Sequence, residues 1–95
     1  MNDFFKPISE PARSLYEAFQ TEAGKRKRRS VKEWLAAERE AVLREAAYQA
    51  QKLGLRCPTM DEIVAAERDA SGSTNYGAAW AYKVTNIMHA AKSSA

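Results

Sequence analysis

The chain has 95 residues, of which 45% are hydrophobic, and a formal net charge of +3. This length fits one domain, residues 1–95, and the hydrophobic share is too high for a disordered chain. One cysteine excludes an internal disulfide and a cysteine-based zinc site. No apolar run approaches the ~18 residues of a membrane-spanning helix, and the first seven residues lack the pattern of a signal peptide. We therefore expect a cytoplasmic protein without a membrane contact.

The first predicted helix begins near Ser9, which can serve as an N-cap, and ends at Gly24. Glu10 and Pro11 would occupy its opening turn, where proline is tolerated. Its apolar residues recur at helical spacing: Ala12, Leu15, Phe19 and Ala23. Residues 1–8 before it are expected to be flexible or loosely packed.

The second predicted helix begins with the capping box formed by Ser30 and Glu33, and Gly54 marks its end. At ~1.5 Å per residue it spans roughly 35 Å, which makes it the central element of so small a protein. Its apolar stripe is predicted to consist of Leu35, Val42, Ala46, Ala50 and Leu53, widened by Trp34, Ala41 and Tyr48.

The third predicted helix follows Pro58, begins with a second capping box at Thr59 and Glu62, and continues to about Ala70. A loop rich in Ser and Gly, residues 71–75, precedes the fourth helix. That helix is predicted from Tyr76 to His89, with one apolar face: Tyr76, Trp80, Val84, Ile87, Met88 and Ala91.

The last residues, 92–95, are expected to fray. No alternating strand pattern occurs in the sequence. These patterns together predict an all-α fold, a small single-domain bundle of about four helices with a long central second helix.

The most informative feature for function is a basic segment, residues 25–32, that joins the first two helices and includes the first turn of the second: Lys25, Arg26, Lys27, Arg28, Arg29 and Lys32. Residues 25–54 hold nine cations against four acids, whereas the segments on either side carry net charges of −2 and 0. These six side chains are the candidate contact with a partner or with nucleic acid. The structural alternative is a solvated loop that Glu33, Glu38 and Glu40 partly neutralise.

Residues 58–63, Pro-Thr-Met-Asp-Glu-Ile, resemble the start of the second helix in the helix-turn-helix of some bacterial repressors. The sequence then departs from that pattern, because a longer loop replaces the short turn. The helix in the recognition position would carry Lys83 as its cation and Asn86 as its base reader, with largely apolar residues elsewhere. A recognition helix normally presents several arginine, lysine, asparagine or glutamine side chains, so DNA reading by this helix is not favoured.

No set of nucleophile, base and orienting residue can be assembled from the sequence, so we expect that the protein is not an enzyme. His89 is the one histidine and is expected near a helix C-terminus. Cys57, before Pro58, is expected to be a small buried or half-buried side chain. No catalytic residue, metal ligand or cofactor is assigned.

The segments 58–63 and 70–82 resemble the C-terminal part of small accessory proteins from enterobacterial phages and prophages. The resemblance covers about a quarter of the chain and implies a setting, the bacterial host cytosol, without residue roles. Small proteins in that setting often bind a host machine. The leading hypothesis is therefore a phage or mobile-element accessory protein that binds and modulates or inhibits a host nucleic-acid-processing or defence complex, of CRISPR type or a nuclease.

Two alternatives remain open. The first is a small nucleic-acid-binding module that uses residues 25–32. The second is a structural homodimer in which the second helix pairs with its copy through Trp34 and Tyr48.

Overall fold

The computed structural model describes residues 11–93, which form four α-helices and one short 3₁₀ turn. The elements in chain order are α1 (Ala12–Ala23), the 3₁₀ turn (Arg26–Arg28), α2 (Val31–Leu53), α3 (Met60–Ala70) and α4 (Tyr76–Ser93). No strand occurs in this range. The predicted all-α bundle with a long second helix is therefore confirmed. None of the helices between residues 11 and 93 is long and apolar enough to cross a membrane.

The predicted capping boxes set the starts of α2 and α3. The Ser30 hydroxyl accepts the Glu33 backbone N–H at 3.2 Å, and the Glu33 carboxylate accepts the Ser30 N–H at 2.9 Å. Thr59 and Glu62 repeat this arrangement at α3. Each box satisfies backbone donors that the first helical turn leaves without partners. Both predicted helix starts are confirmed.

A glycine follows α2, and a proline precedes α1. Gly54 follows α2 at φ 71°, the left-handed conformation that glycine adopts without a steric penalty. Pro11 is the N-cap of α1. The predicted cap at Ser9 and the predicted loose segment 1–8 lie outside the described residues. At the C-terminus the described backbone stays helical to Ser93, four residues beyond the predicted end at His89.

The core lies where α1 packs against α2 and α4, and α3 packs against α4 and α2. Its aromatic centre consists of Phe19, Tyr76 and Trp80. The Phe19 ring meets the Trp80 ring edge-on at 5.4 Å between centroids, and Tyr76 stacks on Trp80 at 6.1 Å. The indole N–H of Trp80 donates to the backbone carbonyl of Ile63 at 3.0 Å, which ties α4 to α3 inside the core.

Two predictions about the apolar stripe of α2 are wrong. Tyr48 is 58% exposed and Leu53 is 40% exposed. The buried stripe of α2 is narrower and passes through Ala46, Gln49 and Ala50. Because successive residues are about 100° apart around a helix, Tyr48 lies on the opposite side from Ala46. The ammonium group of Lys52 lies 5.9 Å from the centroid of the Tyr48 ring.

Candidate binding surface and cleft at the start of α2

Arg26 in the basic segment is half-buried and pairs with a buried carboxylate of the fold. Its Nε and Nη2 donate to the two carboxylate oxygens of Glu38 at 2.5 and 2.8 Å, a bidentate pair. The Glu38 side chain is fully buried, so this pair joins the 3₁₀ turn to α2 through a carboxylate that water does not reach. Hydrogen bonding to Glu38 raises the pKa of Arg26 above its ordinary value, against the opposing effect of burial.

The Arg26 guanidinium also packs against aromatic rings. Its central carbon lies 3.9 Å from the centroid of the Trp34 ring and 5.8 Å from that of Phe19. A guanidinium over an indole face is the strongest common form of cation–π contact. Arg26 therefore links the connection before α2 to rings from both α1 and α2.

Lys25 and Arg29 share a second carboxylate, at the end of α1. Lys25 Nζ lies 3.1 Å from one oxygen of Glu22, and Arg29 Nη1 lies 3.2 Å from the other. The hydrogen bonds from Lys25 and Arg29 hold the pKa of Glu22 below its usual range. Half of the predicted contact residues are thus engaged by carboxylates of the same chain.

The remaining cations point to solvent. Lys27, Arg28 and Lys32 are exposed, and no ion pair joins any of them to another described residue. Val31 lies among them and is 61% exposed, the highest value among the large hydrophobic residues exposed between positions 11 and 90. We call Lys27, Arg28, Val31 and Lys32 the cationic edge.

A cleft of about 590 Å³ opens beside the first half of α2. The 3₁₀ turn, α2, the end of α3 and the loop before α4 all contribute to its walls. Its lining residues are Arg26, Trp34, Leu35, Arg39, Glu67, Arg68, Ser71, Ser73, Thr74 and Tyr76. Aromatic rings, guanidinium groups and hydroxyls therefore face a single space.

Glu67 is the buried acid of this cleft. Its Oε1 accepts hydrogen bonds from Arg39 Nε at 3.0 Å and Nη2 at 2.6 Å. Its Oε2 is buried and has no hydrogen-bond partner among the described residues. Burial, together with the charges of Glu67 and Glu38, raises the pKa of Tyr76. Tyr76 therefore stays a neutral phenol beside this carboxylate at ordinary pH.

Arg26 is a predicted contact residue that lines the cleft, whereas the cleft itself was not predicted from the sequence. The available signal was the position of two acids on apolar faces. Glu38 lies three residues after Leu35 and four before Val42, and Glu67 lies four residues after Ile63. An acid in such a register is buried and needs a partner from another element.

The other sequence candidates lie apart from the cleft. Cys57 is exposed, so the prediction that it is buried or half-buried is wrong. His89 is exposed near the end of α4. Within the part of the chain that the structure describes, no group of three His, Cys, Asp or Glu side chains gathers where it could hold a metal ion.

The structure also bears on the helix-turn-helix interpretation. The helix in the recognition position, α4, packs against α1 and α3 and places Trp80, Val84 and Met88 in the core, where they are at most 1% exposed. A recognition helix must present one face to a groove of DNA. Lys83 is half-buried, and Asn86 is exposed. One face of α4 is therefore packed in the core.

No protein-family model, curated protein or solved structure matches this chain. The functional conclusion therefore depends on the site residues themselves.

Proposed function

We propose that this chain is a phage or mobile-element accessory protein that binds and modulates a host nucleic-acid-processing or defence complex by protein–protein contact in the bacterial cytosol. The cationic edge is the contact surface. The observation that supports this proposal is an exposed apolar side chain, Val31, among three cations that no described carboxylate neutralises.

The composition of the edge favours a protein partner. Protein interfaces combine a desolvated apolar centre with a polar rim, and a few central residues carry most of the binding energy. Val31 would supply the centre, while Lys27, Arg28 and Lys32 would pair with acids of the partner. Such charge pairs raise the association rate and set the orientation of the complex.

The nucleic-acid alternative predicts a measurable salt dependence. Each phosphate that a cation neutralises on duplex DNA contributes about −0.9 to the slope of log K against log salt. Three exposed cations would give a slope of about −2.7, whereas all six cations of the basic segment would give about −5.4. Because Arg26, Lys25 and Arg29 are paired internally, the smaller value applies and direct binding would be weak.

A quantitative capture experiment tests the proposal. Wild-type protein, the variant Lys27→Ser/Arg28→Ser/Lys32→Ser and the control Arg44→Ser/Lys52→Ser/Lys83→Ser are immobilised, and bacterial lysate is passed over each, with and without nuclease treatment. Both variants lose three positive charges. Their free energies of unfolding are measured first, so that a folding defect is not taken for a loss of binding.

The proposal predicts that wild type and control retain the same protein complex and that the edge variant loses it at least tenfold. The purified complex should then show altered nuclease or polymerase activity when wild-type protein is added. Equal capture by all three proteins would contradict the proposal. Capture that disappears after nuclease treatment would instead support the nucleic-acid alternative.

A further inference from the structure

We infer that the cleft beside α2 binds a nucleotide, with the base beside Trp34 and Glu67 and the phosphate at Arg68. This site is separate from the cationic edge, and the inference does not depend on the proposed protein contact. The nucleotide can be free or part of a single strand.

The size of the cleft and its aromatic walls suit a planar ring. A volume of about 590 Å³ lies within the range of about 300–1,000 Å³ typical of small-molecule sites. Trp34 and Tyr76 contribute aromatic surface, and Leu35 adds an aliphatic side chain. Arg26 covers one face of Trp34 and Trp80 covers one face of Tyr76, so a base would stack on the opposite face of either ring. Stacking of a base on an aromatic side chain is the common means by which proteins hold an unpaired base.

The unpartnered oxygen of Glu67 points to a ligand that donates hydrogen bonds. Glu67 is 6% exposed and lines the cleft, and its Oε2 lacks a hydrogen bond within the described structure. Oε2 itself has almost no accessible surface, so a ligand N–H reaches it only after the covering side chains shift. That contact would recover the free energy that a buried polar atom without a partner costs. The exocyclic amino groups of guanine, adenine and cytosine are such donors.

The charge balance of the cleft favours an anionic group. Arg26 and Arg39 are paired with Glu38 and Glu67, which leaves the exposed Arg68 without an ion-pair partner among residues 11–93. An arginine binds phosphate in a bidentate geometry. Ser73 and Thr74 also line the cleft, and their hydroxyls can donate to further phosphate oxygens.

Intrinsic fluorescence can report binding at this site. The chain contains two tryptophans, and Trp80 is 1% exposed in the core, so a ligand in the cleft quenches Trp34. Guanosine monophosphate, guanosine and a single-stranded hexanucleotide are titrated into wild type, Arg68→Ala and Arg44→Ala. The last variant removes an exposed arginine outside the cleft and serves as the matched control.

The inference predicts saturable quenching by guanosine monophosphate, with affinity reduced about tenfold in Arg68→Ala and unchanged in Arg44→Ala. Guanosine should bind wild type and Arg68→Ala alike, because it lacks the phosphate. Tighter binding of the hexanucleotide than of the monophosphate would identify a single strand as the ligand, and equal binding a free nucleotide. Absence of saturable quenching, or equal losses in both arginine variants, would overturn the inference.

Discussion

At the residue scale, one carboxylate can serve both a helix cap and an ion pair. Glu62 Oε1 accepts the backbone N–H of Thr59 at 2.9 Å, and Oε2 accepts Arg56 Nη2 at 2.6 Å. The hydrogen bond from Arg56, followed by that from the Thr59 backbone, lowers the pKa of Glu62 below its usual value of 4.5. Lys25 and Arg29 lower the pKa of Glu22 in the same way.

Because these pKa values are lowered, the free energy of unfolding should decrease as the pH falls. A carboxyl that is more acidic in the folded chain binds fewer protons there than in the unfolded chain. Its stabilisation is complete above the unfolded pKa and is lost as the pH falls through the folded pKa. We therefore expect urea midpoints to be steady from about pH 7 to 5.5 and to fall below about pH 4.5.

The variant Glu62→Gln tests the origin of this loss. Glutamine retains the acceptor oxygen for the capping box but does not titrate in this range. We expect the variant to be less stable than wild type at pH 7 and to lose less stability on acidification. Urea unfolding followed by circular dichroism at several pH values measures both. Parallel acid dependence in the two proteins would show that Glu62 contributes nothing to it.

The residue scale also shows which contacts a sequence can predict. The capping boxes of Ser30 and Thr59 were predictable because donor and acceptor lie within four residues of each other. Glu38 was expected to help neutralise the basic segment, but its specific pairing with Arg26 was not predictable, because the partners are twelve residues apart. Their meeting depends on how the connection folds back over α2, which tertiary packing determines.

At the element scale, Gly77 explains how closely α4 approaches α1. A Cβ atom at this position would lie 2.7 Å from Phe19 Cε2 and 3.2 Å from Tyr16 Cε1. Both rings are buried. Glycine inside a helix costs about 1 kcal/mol relative to alanine, and the close approach of the two helices offsets that cost.

The change Gly77→Ala should therefore lower the free energy of unfolding by about 1–3 kcal/mol, since overpacking outweighs the gain in helix propensity. Gly72→Ala is the matched control, because nothing lies within 4 Å of a Cβ built there. We expect that control to stay within about 0.5 kcal/mol of wild type in urea unfolding. A Gly77→Ala protein as stable as wild type would mean that α1 and α4 separate easily.

The sequence predicts which segments are helical better than it predicts which helix faces are buried. The four helices follow from caps and apolar spacing, and their bounds agree with the structure apart from the start of α1 and the end of α4. The exposure of Tyr48 does not follow, because the width of a buried stripe depends on which neighbours cover it. Tyr48 would be the exposed aromatic in the homodimer hypothesis, whereas Trp34 already contacts Arg26.

At the scale of the whole molecule, the cations of the basic segment form two groups, one that stabilises the fold and one that is exposed. Arg26 forms an ion pair with the buried carboxylate of Glu38, while Arg28 is exposed to solvent. The cleft likewise forms only in the folded chain, because Trp34, Glu67 and Tyr76 come from three different helices. Composition indicated where the charge lies, but only the packing of the helices separates structural cations from exposed ones.

The free energies of unfolding of Arg26→Ala and Arg28→Ala test this division most directly. Loss of Arg26 leaves the fully buried Glu38 carboxylate without its partner, so urea unfolding should show a loss of about 3 kcal/mol. Loss of Arg28 removes the same charge from an exposed position and should change stability by less than about 0.5 kcal/mol. Equal effects of the two substitutions would contradict the division of the basic segment into structural and exposed cations.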